Sequence, residues 1–96
     1  MRRVVVTGLG MVTPLGSGVG HNWSEITAGK SGISKIENFD VSDISCRIAG
    51  QVPGADQPGG LNLDDWIDPR EQRKQDRFIQ LGLAAACQAA EDSGWK

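Results

Sequence analysis

A chain of 96 residues has room for one small domain with a modest hydrophobic core. Its 39% hydrophobic and 23% charged residues suit a soluble α/β protein, and a net charge of -2 provides no overall field that would attract nucleic acid or an anionic membrane. No apolar run approaches the roughly 18 residues of a membrane span, and Thr7, Gly8 and Gly10 interrupt the N-terminal apolar stretch too early for an export signal.

The first predicted element is a strand over Val4 to Thr7, an unbroken β-branched run of the kind that is buried on both faces of a sheet. A glycine-rich connection follows, from Gly8 to Gly20. It begins Gly-x-Gly as dinucleotide-binding turns do, but Thr13 stands where the third glycine is required and Pro14 delays the helix. The pattern therefore favours a structural glycine turn over a phosphate site.

A short helix is predicted from about His21 to Ala28, with Gly29 just past its end. The segment "SEITAGKS" imitates a phosphate-binding P-loop, but Ser24 replaces the first glycine. Lys30 would also follow the end of a helix, whereas a P-loop lies between a strand and the start of a helix. The P-loop interpretation is rejected.

The middle of the chain predicts little regular structure. Ser31 to Asp43 is polar, with Ile33, Ile36 and Phe39 as expected anchors. The weak alternation of "CRIAGQV" favours a short strand within residues 46–52, and the Pro/Gly density of residues 51–60 predicts a surface loop.

The clearest predicted element is a long helix that begins at Asp68 and ends at Ser93. Asp68 is a suitable N-cap, Pro69 suits the first helical position and Glu71 completes a capping box. Gly94 is a natural stop. The half from Phe78 to Ala90 is apolar nearly all round, which predicts burial. Too little chain is present to surround such a helix, so we expect the sequence to be incomplete.

Four cations in the first half of this predicted helix, Arg70, Arg73, Lys74 and Arg77, have the spacing of a single helix face. A solvated face is one interpretation. The other is an anionic partner, because positive charge near a helix N-terminus is unfavourable unless an anion compensates it.

No catalytic or metal site is predicted from the residues present. A cysteine nucleophile requires an adjacent base, and the chain has a single histidine, His21. Cys87 falls inside the apolar part of the predicted helix, where a thiol is inert, and Cys46 borders the predicted strand. One histidine and two scattered cysteines do not form a closed metal site, and the two thiols are expected to be packed and reduced, as in the cytoplasm. No cofactor is expected.

Several motifs, taken in order, resemble one protein family. They are "VVVTGLGMVTPLG", the helix with Trp23, "AGKSGI", "FD" at 39–40, "AGQV" at 49–52, "REQRKQDRFIQ" at 70–80 and "AAEDSG" at 89–94. The chain resembles the N-terminal portion of β-ketoacyl-[acyl-carrier-protein] synthases, and is most similar to the bacterial type II fatty-acid enzymes. The resemblance covers essentially all of residues 1–96, which we expect to be an incomplete N-terminal domain.

The resemblance implies an α/β, thiolase-like fold with five layers in the complete protein, which is usually a cytoplasmic homodimer. Such enzymes are acyltransferases of fatty acid biosynthesis that condense a malonyl thioester with an acyl chain and release carbon dioxide. The family's active-site cysteine and two histidines lie beyond position 96, and neither His21 nor Cys87 matches them. No catalytic residue is therefore assigned, and the segment alone is expected to be inactive.

The resemblance also assigns a partner to the basic residues. In the family, cations on this helix contact the acidic recognition helix of acyl carrier protein, and the matching positions are Arg70, Arg73 and Lys74. Two alternatives remain open: a non-catalytic chain-length factor or polyketide ketosynthase relative, and a stand-alone module that binds acyl carrier protein.

Overall fold

The computed structural model describes residues 1–95 and contains two small antiparallel sheets packed with helices. In chain order the elements are β1 (Val12–Thr13), β2 (Gly16–Ser17), α1 (Val19–Thr27), β3 (Ile33–Lys35), β4 (Ile48–Gly50), a 3-10 turn (Leu63–Asp65), α2 (Pro69–Gln72) and α3 (Arg77–Asp92). None of these helices combines the length and apolarity that a membrane crossing requires.

The predicted strand over Val4 to Thr7 is wrong within this chain. The structure has no regular element before Val12, and Val4 is 96% exposed, with Val5 and Val6 nearly as open. A strand needs a neighbour to take its backbone hydrogen bonds. The β-branched run finds none among residues 1–95.

The segment that follows packs directly on α3, at the glycines of the opening motif. A methyl group on Gly10 would overlap the Ala85 carbonyl oxygen and lie 2.8 Å from Ala89 N. A methyl group on Gly8 would lie 2.6 Å from Ser93 N. These glycines therefore permit close backbone contact, and the predicted turn lies later, at Pro14 and Leu15 between β1 and β2.

Asn22 of α1 organises the β1–β2 hairpin from a fully buried position. Its Nδ2 donates to the carbonyls of Gly16 and Gly18, at 3.1 and 2.8 Å, and its Oδ1 accepts from the Thr13 hydroxyl. A buried amide is stable only when its polar atoms are bonded, and the hairpin carbonyls satisfy that need. The helix ends as predicted, with Gly29 at φ 77°.

β3 and β4 form the second sheet, with Ser34 opposite Ala49. The strand predicted within residues 46–52 is confirmed as β4. The prediction that residues 31–43 are irregular is wrong for β3, because Ile33 to Lys35 pair with that strand. Ile33 and Phe39 are exposed, so they do not anchor this segment among the described residues.

The single helix predicted from Asp68 to Ser93 is two helices, α2 and α3, separated by residues 73–76. Burial of α3 is one-sided: Ala84 and Gln88 are buried, while Phe78 is 72% exposed and Leu83 is also open. The helix ends as predicted, with Gly94 at φ 74°. The predicted all-round burial is therefore wrong for the chain as described.

Gln88 connects α3 to the N-terminal hairpin. Its Nε2 donates to the Ser17 hydroxyl at 2.8 Å, and its Oε1 accepts from Met11 N at 3.0 Å. One turn later, Asp92 Oδ2 accepts from Leu9 N at 3.0 Å. The N–H groups of Leu9 and Met11 thus bond to side chains of α3 in place of a backbone carbonyl.

Candidate functional site

The candidate site lies on α2 and on the turn after it. The Arg70 N–H donates to Asp68 Oδ1 at 2.9 Å, and Pro69 occupies the first turn, so the predicted cap and proline position are confirmed. Glu71 does not complete a capping box. Its carboxylate lies 3.9 Å from Lys74 Nζ instead.

The turn between α2 and α3 is held by two glutamine side chains. Gln72 Nε2 donates to Asp64 Oδ1 and to the Ile67 carbonyl, both at 2.9 Å. Gln80 Nε2 donates back to the Gln72 carbonyl at 3.0 Å. These bonds fix the end of α2 against the preceding 3-10 turn and against α3, and so position the cations that follow Gln72.

We name Arg70, Arg73 and Lys74 the basic patch. All three side chains are exposed, Arg70 at 85% and Lys74 at 73%. Arg70 Nη2 lies 3.4 Å from Asp68 Oδ2, and Lys74 pairs with Glu71. Arg73 has no ion pair with any carboxylate of residues 1–95. The patch therefore holds one unpaired cation and two whose partners are weakly bound at the surface.

The predicted four-cation helix face is not formed. Arg73 is the C-cap of α2, Lys74 lies in the turn, and Arg77 begins α3. For Arg73 and Lys74 the predicted dipole penalty also disappears, because they lie at the C-terminal end of α2, where positive charge is favourable. Arg70 remains in the first turn of α2, beside the Asp68 carboxylate.

Asp68 remains ionised within this surface. The backbone N–H of Arg70, and then its side chain, donate hydrogen bonds that hold the pKa of the Asp68 carboxyl below its ordinary value of 3.8. A negative charge is therefore fixed beside the basic patch at neutral pH.

His21, Cys46 and Cys87 each have neighbours outside the basic patch. His21 Nε2 lies 2.9 Å from the Leu15 carbonyl, and its ring packs on Gly16 and Gly59. Cys87 is half-buried beside the Trp66 carbonyl, whereas Cys46 is exposed, so the prediction that Cys46 is packed is wrong. Among residues 1–95, no three His, Cys, Asp or Glu side chains are grouped to hold a metal ion.

An open cleft of about 780 Å³ lies between the β1–β2 hairpin, the loop at Gly59 and Gly60, and α3. Gln88 and Asp92 line it on the α3 side, and Asp65 and Trp66 on the other. Sequence reasoning did not identify Asn22 or Gln88. For Gln88 the available signal was a long polar side chain inside an alanine-rich helix, since a buried amide implies a bonded partner.

The comparisons with known proteins decide the family. The family model described as "Beta-ketoacyl synthase, N-terminal domain" matches residues 1–96. This chain belongs to that family. The prediction made from the motif order is confirmed.

Several curated relatives of this β-ketoacyl synthase N-terminal domain are named "3-oxoacyl-[acyl-carrier-protein] synthase 2". The chain is 46% identical over 97 residues to the Rhizobium meliloti protein, 47% over 93 residues to that of Vibrio cholerae and 44% over 93 residues to that of Coxiella burnetii. The alignments cover 97% to 100% of this chain but only 21% to 23% of those proteins. The chain therefore spans about a fifth of the relatives' length.

A solved structure gives the same result for the fold. "The ishigamide ketosynthase/chain length factor" matches with a TM-score of 0.82 and 32% sequence identity, over 99% of this chain and 22% of that one. The β-ketoacyl synthase domain described here thus has a mixed α/β, ketosynthase-like fold, as the sequence predicted.

Proposed function

We propose that this chain is the N-terminal part of a 3-oxoacyl-[acyl-carrier-protein] synthase. The complete protein is an acyltransferase that condenses malonyl-acyl carrier protein with an acyl chain, with loss of carbon dioxide, in fatty acid elongation. The observation that carries this proposal is the alignment of the whole chain, at 44% to 47% identity, with bacterial proteins of that name.

The same proposal extends to the architecture of the complete protein. Residues 1–96 form the first part of the N-terminal half of a five-layer thiolase-like protein, which is a cytoplasmic homodimer. The large apolar side chains left exposed on α3 and on residues 4–6 support the extension, because other parts of a protein or a partner usually cover such surface.

Catalysis in this proposal belongs to residues outside the chain. Neither cysteine has His21 as a hydrogen-bond partner, so residues 1–95 form no activated nucleophile of the kind that a condensing enzyme requires. The segment supplies scaffold and a docking surface.

The docking role is assigned to the basic patch, with acyl carrier protein as the partner. Its three cations are exposed on one short helix and the turn after it, and the glutamine bonds described above fix that turn. Charges at the rim of an interface steer encounter and set orientation. An acidic carrier protein is the partner that such a surface favours.

Charge reversal in the complete synthase tests this role. The double variant Arg73→Glu/Lys74→Glu should raise KM for carrier-bound substrate about tenfold or more at low salt, while turnover of a small acyl thioester is spared. The single variant Arg73→Glu is measured as well, and its matched control is Lys35→Glu, which reverses one exposed positive charge on β3, outside the patch. Unchanged carrier-protein kinetics in the double variant would show that the patch is only a solvated face.

A second candidate function is a non-catalytic chain-length factor. The observation that favours it is the matched structure, whose title includes a chain length factor. The coding sequence after position 96 distinguishes the two: a cysteine in the nucleophile motif supports the synthase, and a replacement at that position supports the non-catalytic subunit.

A further inference from the structure

We propose that Asp68 and Glu71 are intramolecular competitors for the acidic partner, and that they weaken its docking on the basic patch. This inference rests on the proposed docking role. On this proposal the same surface contains two carboxylates that lower its affinity, because each forms an ion pair with one cation of the patch.

The geometry gives each carboxylate its own cation. Asp68 Oδ2 lies 3.4 Å from Arg70 Nη2, and Glu71 Oε1 lies 3.9 Å from Lys74 Nζ. All four side chains are at least half exposed, so both pairs lie where a partner's carboxylates would arrive. Arg73, which has no carboxylate partner among residues 1–95, is the cation that contacts the partner without displacing another group.

The electrostatics predict a weakened surface. Residues 68–74 carry three cations and two carboxylates, so the local net charge is +1. An incoming carboxylate that pairs with Arg70 or Lys74 must first separate an existing pair, and it is repelled by the carboxylate that it displaces. Surface pairs are weak and screened, so they reduce affinity without blocking it.

The two carboxylates differ in what else they do. Asp68 also caps α2 through the Arg70 N–H, so its removal changes the helix as well as the charge. The Glu71 side chain contacts only Lys74 among the hydrogen bonds and ion pairs of residues 1–95. Glu71→Gln is therefore the cleaner variant, and Asp68→Asn, which keeps a good N-cap, is the second.

The experiment measures the Kd of purified holo acyl carrier protein for the complete synthase at low salt. Glu71→Gln should tighten binding about threefold to fivefold, which is the Coulomb effect of one charge a few ångströms away in water. Asp68→Asn should also lower the Kd. Both gains should shrink in 0.5 M salt. The control is Glu37→Gln, which removes an exposed negative charge from a different loop and should leave Kd unchanged.

A second background tests competition directly. In a Lys74→Gln synthase, Glu71 has lost the cation that it occupies, so Glu71→Gln should give a clearly smaller gain, from relief of repulsion alone. An equal gain in that background would overturn competition in favour of simple repulsion, and no gain in either background would overturn the inference altogether. Arg73→Glu, measured alongside, distinguishes failure of the competition inference from failure of the docking role. If Arg73→Glu also leaves Kd unchanged, the docking role itself is wrong.

Discussion

At the residue scale, the opening glycines act through close contact between backbones. Gly8 and Gly10 lie against the α3 backbone at Ala85, Ala89 and Ser93, at distances that leave no room for a side chain. Residues 85 and 89 are alanines, so short side chains on the helix also allow a close approach at this point. The small residues on both sides give the Gly-x-Gly pattern a packing explanation.

Gly10→Ala should therefore destabilise the complete synthase by about 1–3 kcal/mol, the usual cost of overpacking. The added methyl group would meet backbone atoms of α3, which cannot rotate away. Denaturant unfolding of the purified protein measures the change.

Gly20→Ala is the matched control for that substitution. Gly20 lies within α1, and apart from the helix's own backbone and the neighbouring residues nothing is within 4 Å of an added methyl group. Alanine there should be neutral or stabilise by about 0.5–1 kcal/mol, because glycine is a poor helix former. Equal stability of the two variants would contradict the close-contact explanation for Gly10.

At the scale of elements, the break between α2 and α3 decides where the basic patch lies. Local sequence favours one helix, since residues 70–77 contain no glycine or proline. The chain nevertheless leaves the helix after Gln72, and the backbone is extended at Asp76, the N-cap of α3, with φ -72° and ψ 162°. The Gln80 side chain takes the Gln72 carbonyl, so tertiary hydrogen bonds replace the continuing helical ones.

The cap of α2 should be pH-dependent. Because the pKa of Asp68 is lowered on folding, its contribution to stability is complete above the ordinary value of 3.8 and is lost as the pH falls through the folded pKa. Amide exchange of residues 70–72 in the wild-type synthase should therefore accelerate at acid pH relative to Asp68→Asn, whose cap does not titrate. Asp68→Ala should accelerate exchange at every pH. Identical acid profiles for wild type and Asp68→Asn would disprove this link.

At the scale of the whole molecule, the chain exposes more surface than a compact domain of its size. Its accessible area is 7390 Å², against about 5,400 Å² expected for a folded monomer of this mass. Its radius of gyration is 15.6 Å, where about 12.5 Å is expected for 96 residues. Many of the exposed side chains are large and apolar, among them Val4, Trp23, Phe78 and Trp95.

The isolated 96-residue chain should consequently unfold without a cooperative thermal transition and should bind a hydrophobic dye such as ANS. It should also show no condensing activity, because neither cysteine among residues 1–95 is hydrogen-bonded to His21. Calorimetry, dye fluorescence and a malonyl condensation assay measure these properties. A sharp calorimetric transition would instead favour the stand-alone carrier-binding module.

The sequence by itself determined the features that depend on local chemistry. The Asp68 cap, Pro69 in the first turn and the stops at Gly29 and Gly94 follow from capping and from the left-handed backbone that glycine tolerates. The order of the motifs was also sufficient to predict the family.

Only the tertiary structure decided the features that depend on contacts between segments. Val4 to Thr7 has strand propensity but no partner among residues 1–95, and a continuous helical pattern is divided where Gln72 and Gln80 bond across the turn. Gln88 can be buried because Met11 and Ser17, 77 and 71 residues earlier in the chain, bond its amide. Asn22 can be buried because the folded hairpin presents the Gly16 and Gly18 carbonyls to it. Propensity is local, whereas strand pairing, burial and hydrogen bonding require neighbours that the fold brings together.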